Sequence, residues 1–571
     1  MTSSPISNIN YRKYQMTEEP TKAEKMLWDI GVPSGEDRIF RHVFFQKVPE
    51  RVGVPIAKEY KVLFEKSSLR EANQYLLRLD EELRKKPLRF NLTDSDICDF
   101  SAARARACEN IQSRSNNNQK LYAALSDYAS RYGISAPLID KGKTLGSVIN
   151  RLCDERWWRT KVRRIHGRNL EAFLIQAGFV RKQRGIYASD EAVHRNRQKD
   201  LRNKRVLENT YATNESGDEF SMLELSERSI SNPRIRRGEL MTRISGFEEI
   251  AKDIGDVCQL YTMTCPSRMH ARFSKSGMPN PKYDGTTPDK AQKHLTDHWA
   301  LIRTSLGNKG IDLYGLRVCE PHHDGTPHWH FMAFMKPEEE KIITETIRKY
   351  ALAVDGDEPG AKDNRFDVVE IDWSKGSATG YIAKYISKNI DGKYIEEDSY
   401  GKDAVESSER VKAWANKWGI RQFQFFGGPS IGIWRELRRL AVCPRGILGD
   451  AFEAADNGKW AEFVMILGGP RKSDINTGIA LLKVYSDKPN SYGEPLGYVV
   501  LGVTVGDISA VTRFYTWTIE YRPPGNSFGD LIDFPRGSSG IDEKLEQGSS
   551  AGIKRDFHGE SDRSMENLSF G

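Results

Sequence analysis

The sequence predicts an α+β protein, with an antiparallel sheet carrying helices on one face and an all-helical basic domain before it. Three observations lead there. Apolar residues recur at helical spacing from about 60 to 210. Strand-like alternating runs occupy 258–264, 311–320 and 327–335, the last two joined by Asp324-Gly325, a strong hairpin signal. Helical patterns at 289–305, 337–354 and 376–390 interleave with these and with a run at 366–373. The order βα-ββ-αβ-α implies an antiparallel sheet whose second face is left free for a substrate.

Taken in order, residues 1–60 mix proline, charge and aromatics without a sustained period, and no element is assigned there. Ser68 and Glu71 have capping-box spacing, followed by Ala72, Leu76, Leu79 and Leu83 on one helical face and stopped by Pro87. Helices are expected at about 117–132, 147–160, 168–178 and 190–208, completing a basic helical domain over 61–209. Trp157 and Trp158 read as core, since paired aromatics usually pack. Residues 210–232 are polar and acidic, and read as a connector. A helix at about 238–253 opens a domain over 233–441, which ends with helices at 405–418 and 429–441 around a strand at 423–426. A small α/β region, 442–522, has strand-like runs at 499–505 and 511–521. The charged, Pro/Gly/Ser-rich remainder, 523–571, reads as a disordered tail.

At 571 residues the chain needs more than one core. Its net charge of +7 is unevenly placed, with 15 Lys/Arg against 4 Asp/Glu between Arg156 and Arg205. A solvated helical face is the plain reading of that run, and an acidic polymer as partner is the sharper one. Seven widely spaced cysteines without a CxxC exclude a zinc finger and a disulfide framework. No secretory pattern opens the sequence and no apolar run could span a bilayer, so a cytoplasmic protein without a membrane partner is expected. Gly142-Lys143-Thr144 resembles the end of a phosphate loop, but Pro137 stands where its first glycine belongs, which argues against an ATP site.

The chemistry concentrates in two stretches. His328 and His330, two apart on a strand, put both imidazoles on one side of a sheet, where they can hold a divalent cation. Glu320, at the end of the preceding strand, is the candidate third ligand, with His322, His323 and Asp324 as rivals. Phosphoryl chemistry favours Mg²⁺ or Mn²⁺. Tyr381 and Tyr385, four apart on a helix, share one face, and Lys384 and Lys388 of that helix are candidates for phosphate contact. A phenol aimed at the cation can attack a phosphodiester, splitting one step into two reversible ones. A second phenol one turn away serves a second cut made while the first strand is still attached.

Leu260-Tyr-Thr-Met-Thr264, Pro327-His328-Trp-His330-Phe and Tyr381-x-x-Lys384-Tyr385 resemble the three ordered motifs of rolling-circle replication initiators of the His-hydrophobe-His (HUH) endonuclease superfamily. The two-tyrosine form is similar to the gene A replication proteins of temperate tailed bacteriophages and prophages. That resemblance implies a site-specific single-strand nick at the phage origin and a covalent 5′-phosphotyrosine on Tyr381 or Tyr385. It also implies a freed 3′-hydroxyl for DNA polymerase to extend, and later strand transfer. Its histidines hold the metal, here His328 and His330. With no motor of its own, the protein would borrow the host's replicative helicase to open duplex origin DNA. Two other readings compete: a non-enzymatic origin-binding or regulatory protein, and a metal-dependent hydrolytic nuclease.

Overall fold

A computed structural model describes residues 19–29, 31–32, 36–139, 143–392 and 403–523. The tail expected to be disordered lies, beyond Pro523, outside the described residues. The first half is helical: α1 (Lys22–Asp29), α2 (Glu36–Phe45), α3 (Glu50–Lys66), α4 (Leu69–Arg84), α5 (Asp94–Gln112), α6 (Asn118–Ser130), α7 (Leu145–Leu152), α8 (Glu155–Gln176) and α9 (Asp190–Glu208). Ser68 caps α4 as its spacing predicts, accepting from the Glu71 amide at 3.2 Å. Where helices were expected at 147–160 and 168–178, the chain instead breaks at Cys153 and Asp154 and then runs unbroken through α8. Asp154 is the reason, because its carboxylate accepts from the Arg156 amide at 2.9 Å and starts a new helix. Trp158 is fully buried and Trp157 nearly so, in one core with Val148 and Leu152.

The polar stretch after α9 is no bare connector. It forms strands β1 (Thr210–Asn214) and β2 (Glu219–Ser221), then α10 (Met222–Glu227). Strand β1 also pairs with β11 (Trp517–Tyr521), about three hundred residues later. Its polar sequence hid this because Tyr211 and Thr213 alternate with Ala212 and Asn214 on a strand buried at every second position.

Helix α11 (Pro233–Ile254) leads into the central sheet, built from β3 (Val257–Thr264), β4 (Tyr314–Pro321), β5 (Pro327–Met335), β6 (Phe366–Glu370) and β7 (Phe423–Phe426) in the antiparallel order β6-β3-β5-β4-β7. Between these strands lie α12 (Pro288–Gly307), α13 (Glu340–Ala351), the short α14 (Ala361–Asn364), α15 (Ala378–Ile390) and α16 (Ala404–Trp418). The α+β class and the antiparallel hairpin are as predicted, but helices cover both faces of the sheet. Trp329, Phe331 and Ala333 of β5 are buried with residues of α12 and α13, while Met332 and Phe334 are buried with residues of α11 and α15. A strand apolar on both sides must bury both, so the face expected to be free is covered, and the histidines sit at the polar end of β5.

The chain continues through α17 (Ile431–Leu437), α18 (Ile447–Asp456) and α19 (Trp460–Ile466) to a second sheet of β8 (Ala480–Pro489), β9 (Pro495–Val505) and β10 (Ile508–Val511). Phe452, Trp460 and Phe463 share one core with Leu260, Phe334 and Ile382. Residues beyond 442 therefore extend the core of the central sheet. All seven cysteines are free thiols, and among the described residues no helix is long and apolar enough to cross a membrane.

Candidate metal centre and tyrosine helix

The β4–β5 register assembles the centre. Glu320 lies directly across from His328, and His330 follows two residues on along the same face. The connecting turn is closed by the His322 amide donating to the Thr326 carbonyl at 2.7 Å, with Gly325 at φ +84°, a conformation suited to glycine. The two Nε2 atoms come within 3.0 Å of each other, a spacing compatible with two nitrogens each about 2.1 Å from one ion. Glu320 Oε2 is 4.0 Å from His328 Nε2 and 3.9 Å from His330 Nε2. Among the described residues this is the one group of three or more His, Cys, Asp or Glu with its ligand atoms gathered in this way. An N₂O donor set on a rigid hairpin fits a divalent cation.

The surroundings hold each ligand in place. His330 Nδ1 lies 3.1 Å from Thr262 Oγ1 on the neighbouring strand, while His328 stacks on His322 with ring centroids 4.0 Å apart. Burial pushes both imidazoles below the ordinary histidine range, and His328 well below it, helped by the neighbouring His322, His330 and Lys388. Both are therefore neutral near pH 7 and free to ligate. Glu320 is buried and accepts from Asn389 Nδ2 and, at 3.3 Å, from Lys388 Nζ. Gln422 Nε2 in turn donates to Asn389 Oδ1 at 3.0 Å.

Helix α15 brings the tyrosines to this centre. Ser377 caps it, accepting from the Gly380 amide at 2.9 Å, and Ala378, Ile382 and Ile386 repeat every four residues into the core. The phenols stand on the flanking stripe, about 100° round the helix. The Tyr385 ring lies against His330, with centroids 4.3 Å apart, and is partly buried; Tyr381, one turn earlier, is exposed. Burial raises the Tyr385 phenol above its ordinary value, and the carboxylates of Glu320 and Asp367 add to this.

Of the residues singled out from sequence, Glu320, His328, His330 and Tyr385 converge, Tyr381 stands outside them, and Lys384 projects into solvent. Lys388 is buried against Glu320. None of the rival ligands His322, His323 and Asp324 belongs to the gathered group; His322 stacks on His328, and Asp324 pairs with His270 Nδ1 at 3.3 Å. Sequence reasoning missed Asn389 and Gln422, for which no spacing gives a cue. Thr262 lay within the alternating 260–264 run and could have been found from it.

The family model described as bacteriophage replication gene A protein (GPA) matches residues 69–393, more than half of the chain, a span that holds Glu320, His328, His330, Tyr381 and Tyr385. The chain belongs to this family. It is 40% identical over 392 residues to the replication gene A protein of Escherichia phage 186, covering 66% of this chain and 56% of that one. It is 38% identical over 390 residues to the probable replication protein P12 of Pseudoalteromonas phage PM2, covering 66% and 60%. A probable replication endonuclease from a prophage-like region of Salmonella typhi is 36% identical over 371 residues, covering 61% and 45%. The chain thus spans about half to three-fifths of these relatives' lengths. No solved structure matches it.

Proposed function

We propose that the protein is a site-specific DNA-nicking and strand-transferring enzyme that starts rolling-circle replication of a phage genome in the host cytoplasm. One observation carries the reading: a phenol, Tyr385, lies against a two-histidine, one-carboxylate cluster, with a second phenol one helical turn away. The names of the relatives, replication gene A protein and replication endonuclease, support it. In the first step a tyrosine oxygen bonds to phosphorus and the bond from phosphorus to the 3′-oxygen breaks. The phenol gives up its proton, and the leaving 3′-oxygen ends as a hydroxyl. The 5′ end is then held as a phosphotyrosine ester while the hydroxyl is free for the host polymerase to extend. Mg²⁺ or Mn²⁺ bound by His328, His330 and Glu320 would polarise the scissile phosphate. Lys384, exposed on the helix, would meet a DNA phosphate. Strand separation is assigned to the host's replicative helicase, and contact with duplex origin DNA to helices α7–α9.

The test uses a single-stranded origin oligonucleotide labelled at either end, with Mn²⁺, and the wild type, Tyr381→Phe, Tyr385→Phe and double variants. The expected result is a protein-linked product carrying the 3′-side label that disappears in the double variant. Cleavage without an adduct, undiminished in the double variant, would identify a hydrolytic nuclease. No cleavage of any DNA would favour a binding protein.

A further inference from the structure

Strands β8 and β9 form a ribbon that the nicking chemistry does not use. Its base belongs to the central-sheet core, where Val503 is buried and Leu481 packs, and Thr512 Oγ1 beyond β10 donates to Glu436 of α17 at 2.5 Å. Its tip docks on the helical half. Glu494 is buried and accepts from both Arg151 guanidinium nitrogens, at 2.7 and 2.5 Å, and from Ser147 Oγ at 2.7 Å. The Tyr492 phenol donates to Asp154 at 2.5 Å, and Arg151 sits 4.2 Å from that ring. Helix α8 starts at the same place, and Arg168 ties it back to the sheet side through the Lys417 and Trp418 carbonyls and Asp289. Ribbon and helix are thus two spans between the same two regions.

Between its anchors the ribbon is bare on both faces. Val484 and Tyr485, adjacent on a strand and so facing opposite ways, are 49% and 51% exposed; Tyr498, paired with Tyr485 in register, is 71% exposed. A two-stranded ribbon is marginal by itself, which explains the fastened ends but not an apolar middle. Six aromatic side chains stand out as exposed among the described residues: Phe273, Tyr381, Tyr485, Tyr498, Phe514 and Tyr515. Four belong to this sheet or the segment just after it, and a fifth is a candidate nucleophile. Lys483 shares the Tyr485 face and Lys488 follows on the same strand; both are exposed and, among the described residues, neither is in an ion pair. Asp487 is the sole carboxylate on the two strands.

We infer that the β8–β9 ribbon is an arch that binds single-stranded DNA, with bases stacking on Tyr485 and Tyr498 and phosphates meeting Lys483 and Lys488. Stacking on aromatic faces with cations alongside is how single strands are held without sequence preference, and a duplex keeps its base faces covered. The ribbon lies beyond residue 393, where the family match ends, so it adds to the shared catalytic region. The inference rests on the proposed function in the choice of DNA as ligand.

The test measures binding of a fluorescent oligo-dT by anisotropy, with the full chain in EDTA so that cleavage does not intervene. Tyr485→Ala/Tyr498→Ala should weaken binding by about tenfold or more, since each stack contributes that order. Tyr485→Phe/Tyr498→Phe should bind as the wild type does, and duplex affinity should not change in either variant. Photocrosslinking of the wild type to bromodeoxyuridine-substituted oligonucleotide should label peptides within 483–500, a readout that needs no variant to fold. Wild-type affinity in the alanine pair, no affinity of the wild type for oligo-dT, or crosslinks wholly outside the ribbon would each overturn the arch. Loss of the tyrosine adduct assay with ribbon-dependent binding intact would sink the nicking mechanism alone.

Discussion

Tyr381 and Tyr385 share a helix face but not an environment, and under the proposed mechanism this difference predicts an order of use. Tyr385 lies against His330, while Tyr381 is 48% exposed. On a single-stranded origin oligonucleotide, Tyr385→Phe should lower formation of the first adduct by on the order of a thousandfold or more, as for loss of a nucleophile. Tyr381→Phe should leave that adduct near wild type and lose strand transfer to a second oligonucleotide. The reverse ranking in a single-turnover gel assay would reject this order. The ligand set yields a second prediction. Asn389 donates to Glu320 and is itself held by Gln422, so Asn389→Ala removes a fixed partner of the carboxylate. Mn²⁺ affinity measured by calorimetry should fall about tenfold or more, with the thermal midpoint of the metal-free protein retained. Unchanged affinity would show that Asn389 plays no part in presenting Glu320. Strand alternation and hairpin pairing made Glu320, His328 and His330 legible in the sequence. Lys388 was read as a phosphate contact because its spacing says only which helix face it shares; that Glu320 lies under that face is a tertiary fact. Asn389 and Gln422 meet only after α15 and the segment before β7 have packed.

At the scale of elements, the helix period was readable where burial is one-sided, as in α9, which occupies the residues its pattern marks. Periodicity failed where a local side chain overrides it, as Asp154 does between α7 and α8, and where both faces of the sheet are buried. The contact between α11 and α19 was invisible for another reason. It depends on Gly246 in mid-helix, where a Cβ would stand 2.8 Å from the Trp460 side chain and from the Ala461 amide nitrogen. A lone glycine in a helical pattern reads only as a weak point. Gly246→Ala should therefore destabilise the fold by about 1–3 kcal/mol through overpacking, despite the better helix propensity of alanine. A rise in thermal midpoint on this substitution would mean that α19 yields easily.

Over the whole molecule, pH should act on stability through imidazoles of lowered pKa outside the candidate site as well as within it. His166 of α8 is fully buried, 3.2 Å from the Phe90 carbonyl through Nε2 and 3.1 Å from Arg195 through Nδ1. A carbonyl can only accept and a guanidinium can only donate, so Nε2 carries the hydrogen and Nδ1 must be bare. Burial and the Arg195 charge accordingly lower its pKa from 6.5 to about 4. Between those values the unfolded chain binds a proton that the folded chain does not, so stability from this group is complete above pH 6.5 and is lost as pH falls toward 4. The loss should reach on the order of 2 kcal/mol by pH 5, where most unfolded histidine is charged. His294, lowered to about 4 by burial and by His298, acts with the same sign. Because α8 joins the helical half to the central sheet through Arg168, protonation of His166 should loosen both halves together. Thermal midpoints of the metal-free protein measured from pH 7.5 to 5 should decline, and more shallowly in His166→Gln, whose amide cannot take up a proton there. Equal slopes in the two proteins would place the acid sensitivity elsewhere.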